Sequence, residues 1–202
     1  MVESQLRRRG IPDERVLSAM LQVPRHEFVP AEYHDKAYAD HPIPIAEEQT
    51  ISQPFIIARS LDALALNGSE RVLEVGTGSG YQAALLAVLA REVFSIERHP
   101  SLAQAAEALL SKLRYANVTI VVGDGSNGFP QSAPFDAILV SAAAPKIPQS
   151  LLEQLAENGK MVIPVGPPQA QELQLVRKQN GEISVKVLEG CRFVPLIGIE
   201  GY

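Results

Sequence analysis

The spacing of apolar positions changes twice along the chain. In residues 1–53 a single helical stripe follows Pro12, carried by Val16, Ala19, Met20 and Val23. Pro24, Pro30, Pro42, Pro44 and Pro54 then interrupt every regular period. A stretch this long without periodicity reads as a functional loop region, a lid or a binding surface. From Pro54 to about Gly166 short apolar runs alternate with helical ones. Pro54 opens a helix with Ile56, Ile57, Ser60, Leu61 and Leu64 on its apolar face, and Gly68 is placed to end it. Strands are predicted at 71–75, 92–97, 118–122, 135–141 and 159–165, with helices at about 81–89, at 100–114 and from Pro148. Beyond residue 166 the period is that of strands, 172–178 and 183–188, joined through Asn180-Gly181, a strong hairpin signal. Pro195 in Arg192-Phe-Val-Pro195 marks an edge strand or a closing segment.

Strands alternating with helices imply right-handed crossovers. The fold class is therefore α/β, a doubly wound and mostly parallel sheet. An N-terminal helical and loop extension precedes it, and a C-terminal antiparallel hairpin follows. One domain is expected over residues 1–202: 1–53 a lid or binding region, 54–166 the α/β core, 167–202 the antiparallel strands. Of the 202 residues 46% are hydrophobic and 20% charged, enough to bury a core. Eighteen basic against 23 acidic residues leave a net charge of −5, which argues against a nucleic-acid partner. Arg7, Arg8 and Arg9 read as a solvated basic tail. The longest apolar run, 83–90, is short against the ~20 residues of a membrane helix, and no apolar run follows the basic N-terminus. With a single cysteine, Cys191, and four histidines without ligand spacing, no structural metal is expected. A cytoplasmic monomer is the expectation.

The segment Glu74-Val-Gly-Thr-Gly-Ser-Gly-Tyr81 holds the most chemistry. It puts Gly76, Gly78 and Gly80 at the carboxyl end of the first long strand, where open α/β sheets bind ligands. The third small residue of a dinucleotide fingerprint would fall at position 81, and Tyr81 occupies it. Glu97 ends the next strand, where a carboxylate can accept both hydroxyls of a ribose. Asp124, between Gly123 and Gly125 at the following strand end, could accept from an adenine amino group, or could simply make an Asp-Gly turn.

Acidic-x-G-x-G-x-G, an acidic strand end and then Gly-Asp-Gly together resemble class I S-adenosylmethionine-dependent methyltransferases, a Rossmann-like fold. Thr50-Ile-Ser-Gln-Pro54, Gly123-Asp-Gly-Ser126, Ser141-Ala-Ala-Ala-Pro145 and Arg192-Phe-Val-Pro195 narrow the resemblance. With Val23-Pro-Arg-His-Glu-Phe-Val-Pro30 and Ala37-Tyr-Ala-Asp40, they resemble the protein-L-isoaspartate O-methyltransferases over nearly the whole chain. That resemblance implies methyl transfer to the α-carboxylate of L-isoaspartyl residues in damaged proteins and peptides, initiating repair through a succinimide. The methyl donor would be S-adenosyl-L-methionine and the product S-adenosyl-L-homocysteine. It assigns the donor to Glu74, Gly76, Thr77, Gly78, Gly80, Glu97, Arg98, Asp124 and Gly125, and the acceptor to Ile51, Ser52, Gln53, Pro54 and Ala142. Ser52 is the implied catalytic residue; its purely structural alternative is an N-cap for the helix at Pro54. The chain departs from the family at Ala46-Glu-Glu-Gln49, where glycines are usual.

Three competing readings stand beside this one. A methyltransferase with another acceptor would keep Glu97 and Asp124 and give up Ser52. A binding module without catalysis would keep the glycine turn, and a nicotinamide dehydrogenase is disfavoured by Tyr81.

Overall fold

The computed structural model describes residues 1–202. Its central strands are apolar along nearly their whole length because helices cover both of their faces. β3 (Arg71–Val75), β4 (Glu92–Glu97), β5 (Val118–Val122), β6 (Phe135–Val140) and β7 (Leu155–Val165) run parallel; β8 (Gln171–Gln179) and β9 (Glu182–Cys191) return antiparallel. The order is β5-β4-β3-β6-β7-β8-β9. It reverses at β3, so the carboxyl ends of β3, β4 and β6 open the crevice in which such sheets bind ligands.

Alternation along each strand sends neighbouring side chains into different cores. Val72, Val93, Leu139 and Val162 pack with α1 (Glu14–Gln22), α2 (Pro54–Leu64) and α3 (Tyr81–Leu89). Leu73, Ile96, Ile138 and Ile163 pack with Leu151 of α5 (Gln149–Gln154) in a second cluster. α4 (Pro100–Lys112) crosses between β4 and β5.

Most predicted elements stand where the periodicity puts them, and the differences lie at ends. α2 stops at Leu64 because Ala65 takes the left-handed cap (φ 50°), its N–H on Leu61 and Asp62 carbonyls; Gly68 (φ 103°) belongs to the turn beyond. β7 begins at Leu155 rather than 159, through an irregular register against β6. Asn180 (φ 53°) and Gly181 (φ 75°) make the tight turn of the β8–β9 hairpin.

Between α1 and α2 the chain has local order that no period revealed. Arg25–Phe28 and Ala31–Lys36 are 3-10 turns, and β1 (Ile43–Pro44) pairs with β2 (Thr50–Ile51) in a two-stranded hairpin. The basic trio is exposed, as a solvated run would be, but Arg7 and Arg9 are tied to the fold. Val2 and Leu6 of the preceding turn are buried, Arg7 pairs with Glu3 and Glu14, and Arg9 pairs with Asp40 while its guanidinium lies 3.5 Å from the Phe55 ring centroid. The partners of Arg9 come from distant positions, which a local charge run does not disclose. No helix is long and apolar enough to cross a membrane.

Candidate active site

The chain leaves β3 through a turn in which Gly76, Gly78 and Gly80 all have positive φ (93°, 54° and 86°), a region that side chains resist. Gly80 caps α3, and a Cβ there would stand 3.2 Å from that of Ala106. The turn thus brings backbone N–H groups and the N-terminus of α3 to the crevice. Tyr81, fully buried, packs against Phe28 and donates to the Met20 sulfur at 3.6 Å.

Over the turn lies a cavity of about 300 Å³. Gly76, Thr77, Gly78, Glu97, Arg98 and Gly125 form its sheet side; Ile51, Ser52 and Ala142 face it from other segments. Glu97 is 5% exposed, and each of its oxygens already holds one backbone N–H, from Gly78 at 2.9 Å and from His99 at 3.0 Å. A carboxylate has about four acceptor positions, so two remain for paired hydroxyls of a ligand. Charge, backbone donors and the apolar Val75, Ile96 and Leu196 suit a nucleoside bearing a cationic amino-acid end.

Several residues assigned from the sequence stand outside this wall. Glu74 lies beneath it, fully buried; burial pushes its carboxyl up to about 8 against the hydrogen bond from Ser95. Gly80 turns into α3, and Pro54 is the first residue of α2. Asp124 takes the turn role. Its Oδ1 accepts from the Ser126 N–H and hydroxyl, its Oδ2 from Asn127 and from the Ile199 N–H at 2.9 Å. Burial raises this carboxyl, but the bonds from Ile199 and Ser126 outweigh it and hold it below the usual range. The carboxylate therefore anchors the C-terminal segment, which in turn supplies Leu196 and Ile197 to the cavity.

Ser52 does not cap α2. Gln53 occupies the cap position, and the Phe55 N–H is taken by Asp40 Oδ1 at 2.9 Å, while Asp40 Oδ2 accepts from the Gln53 amide at 2.7 Å. The Ser52 carbonyl accepts from the buried Arg25 guanidinium at 2.8 Å, which fixes the backbone and leaves the hydroxyl without a partner in the chain. That hydroxyl belongs to a residue lining two cavities: the one above, and a neighbour of about 350 Å³ bounded by Pro42, Gln53, Ile56, Cys191, Arg192 and Phe193. Burial pushes the Cys191 thiol up to about 11, so it is protonated at neutral pH and no nucleophile.

This geometry has close counterparts among known proteins. The family model for protein-L-isoaspartate(D-aspartate) O-methyltransferase matches residues 1–201. The chain belongs to that family. The protein-L-isoaspartate O-methyltransferase of Koribacter versatilis is 58% identical over 202 residues, which cover 100% of this chain and 91% of the relative. A solved protein-L-isoaspartate O-methyltransferase superposes with a TM-score of 0.89 at 28% identity, covering 100% of this chain and 67% of its own. The Plasmodium falciparum enzyme, solved with S-adenosyl-L-homocysteine, gives a TM-score of 0.83 at 31% identity, covering 97% and 96%. The activity of this protein-L-isoaspartate O-methyltransferase is transfer of a methyl group from S-adenosylmethionine to isoaspartyl residues, the step that starts their repair.

Four residues of the methyltransferase site went unassigned in the sequence. Arg25 and Asp40 lie in segments that carry the resemblance, but a buried arginine holding a serine carbonyl has no local signature. Gln82, in the first turn of α3, and Ser141, just past the end of β6, are paired at 2.6 Å in the cavity wall and meet only in the folded chain.

Proposed function

We propose that the isoaspartyl α-carboxylate is methylated at the junction of the two cavities, with Ser52 as the catalytic residue that positions it. The observation that supports this is that Ser52, whose hydroxyl has no partner in the chain, lines both spaces. S-adenosylmethionine, when bound, supplies an electrophilic methyl on a sulfonium. Gly76, Thr77, Gly78, Glu97 and Arg98 would hold it, Glu97 taking the ribose hydroxyls with its two free acceptor positions. The acceptor needs no general base, since an α-carboxyl has a reference pKa of roughly 3.3–3.7 and is already an anion at neutral pH. What the protein adds is alignment and exclusion of water. Ser52 donates to one carboxylate oxygen and leaves the other free to attack, and Ile51, Ile57 and Val194 close the apolar side. Gln53 and Arg192, lining the second cavity, receive the rest of the damaged peptide. Both cavities are lined by residues of one chain, which supports the monomer as the working unit.

Radiolabelled S-adenosylmethionine with an isoaspartyl peptide and its aspartyl twin tests the reading. Base-labile label is expected on the isoaspartyl peptide alone; equal labelling of the twin would refute acceptor selection at this junction.

A further inference from the structure

Beneath the donor cavity is a chain of three side chains that the transfer does not itself use. Thr77 in the cavity wall lies with its Oγ1 2.6 Å from the Ser95 Oγ, and Ser95 in turn donates to Glu74 Oε2. All three are buried, at 4%, 0% and 0% exposure. Glu74 Oε1 is enclosed and has no hydrogen-bond partner. Each hydroxyl carries one proton, so the direction of the chain is decided at its buried end. When Glu74 is a carboxylate, Ser95 must donate to it and Thr77 must donate to Ser95. Thr77 then turns only lone pairs toward the cavity. When Glu74 carries a proton, the chain can reverse and Thr77 can turn its O–H outward.

We propose that Ser95 is a positioning residue that couples the charge of Glu74 to the polarity of Thr77, so that binding of the cationic end of the methyl donor expels a proton from Glu74. The inference rests on the donor site assigned above. An ammonium or sulfonium needs acceptors and a nearby negative charge, and beneath Thr77 the deprotonated chain offers both. Glu97, the other charged group that acts on Glu74, is a carboxylate and opposes ionisation of the empty site; the neutral neighbours Ser95 and Gln82 favour it. Burial opposes it most, which holds the proton on Glu74 up to about pH 8 before the donor arrives. The signs follow. Below that pH donor binding releases a proton, and donor affinity rises with pH by as much as about tenfold per unit until the empty site has itself ionised.

Titration calorimetry of the intact enzyme with S-adenosylmethionine, without acceptor, in buffers of different ionisation enthalpy reads the proton directly. At pH 7 wild type is expected to release close to one proton more than Glu74→Gln, a difference in which the donor's own amino group and His99 at the cavity wall cancel. Ser95→Ala should lose most of that release and weaken donor binding about tenfold. Ser95→Thr, which restores the hydroxyl, should recover both. Circular dichroism of each variant shows whether it is folded. Wild-type binding with the same proton count as Glu74→Gln overturns the coupling while leaving the donor site intact. Failure of wild type to bind the donor at all overturns the site reading and the coupling with it. A folded Ser95→Ala that keeps full proton release removes Ser95 from the chain.

Discussion

A hydroxyl with no partner inside its own chain is available to a ligand, and that distinguishes Ser52 from the buried Ser60, whose Oγ is spent on the Ile56 carbonyl at 2.9 Å. Since Asp40, not Ser52, supplies the cap of α2, Ser52→Ala removes no helix cap. We expect its melting temperature to stay close to wild type, its donor affinity to be unchanged and kcat to fall at least about tenfold. Glu97→Ala should give the opposite split, a ten- to hundredfold loss of donor affinity, since hydrogen bonds to charged groups are worth roughly 1.5–3 kcal/mol. Calorimetry and steady-state rates on the two variants check the crossover; a Ser52→Ala enzyme with full turnover would return the serine to a packing role. Glu74 belongs to this scale too. Its carboxyl is raised in the empty fold, so its contribution to stability is fully present below the unfolded value, near 4.5. It is lost as pH rises through about 8. Glu74→Gln should flatten that decline, which denaturant midpoints at pH 5.5 and pH 8 would register.

At the scale of elements, the β1–β2 hairpin reaches over the glycine turn, with Ile45 Cδ1 3.5 Å from where a Gly78 Cβ would be. Its tip holds Glu47 and Glu48, both at φ 56°, where most side chains are disfavoured. Glu47 offsets that strain by tying the tip to α4. It accepts from Ser101 Oγ at 2.5 Å and lies 3.7 Å from His99 Nδ1. Glu47→Gly relieves the backbone and cuts the tie. The expected result is a melting temperature at or above wild type with a several-fold faster donor release, measured by stopped-flow fluorescence of a donor analogue. Unchanged release would show that the hairpin does not need the tie to cover the cavity. Glu47 is thus compatible with the hairpin because Ser101 of α4 and the adjoining His99 supply it with partners.

Across the whole molecule, the cavity is closed by chain ends far apart in sequence. The C-terminal segment crosses the ends of the sheet with the Ile199 N–H on Asp124, the Glu200 N–H on Ser126 at 3.0 Å and the Tyr202 hydroxyl on the Gly166 carbonyl at 2.6 Å. The Glu200 carboxylate also accepts from the Gln149 and Ser150 N–H groups and the Ser150 hydroxyl at the start of α5. Glu200→Ala should free this strap. Because Leu196 and Ile197 wall the cavity, donor affinity should fall several-fold, and hydrogen exchange should speed up at 196–202 while the central strands remain protected. Protection unchanged at 196–202 would mean that the bonds to Asp124, Ser126 and Gly166 hold the strap without the Glu200 carboxylate.

How much of this was legible beforehand depends on the range of the interaction that decides each feature. Strands β3, β4 and β5 and helix α3 could be read residue by residue, because short apolar β-branched runs and helical stretches are written into neighbouring positions. The glycine turn and the Thr50-Ile-Ser-Gln-Pro54 motif likewise identified the donor, the family and the chemistry. The hairpin β1–β2 was not legible, since two residues per strand are too few to show a period. Asp124 and Ser52 each had two possible jobs in the sequence. Residues remote in the chain bear on both: Ile199 fills a lone pair of Asp124, and Asp40 takes the N–H that Ser52 might have capped. Arg9 was likewise settled by Asp40 and Phe55. Local patterning fixes backbone conformation because its causes lie within a turn or two of each residue. The spare hydrogen-bonding capacity that makes a side chain functional is what remains after every contact in the fold has been made, and only the folded chain determines that remainder.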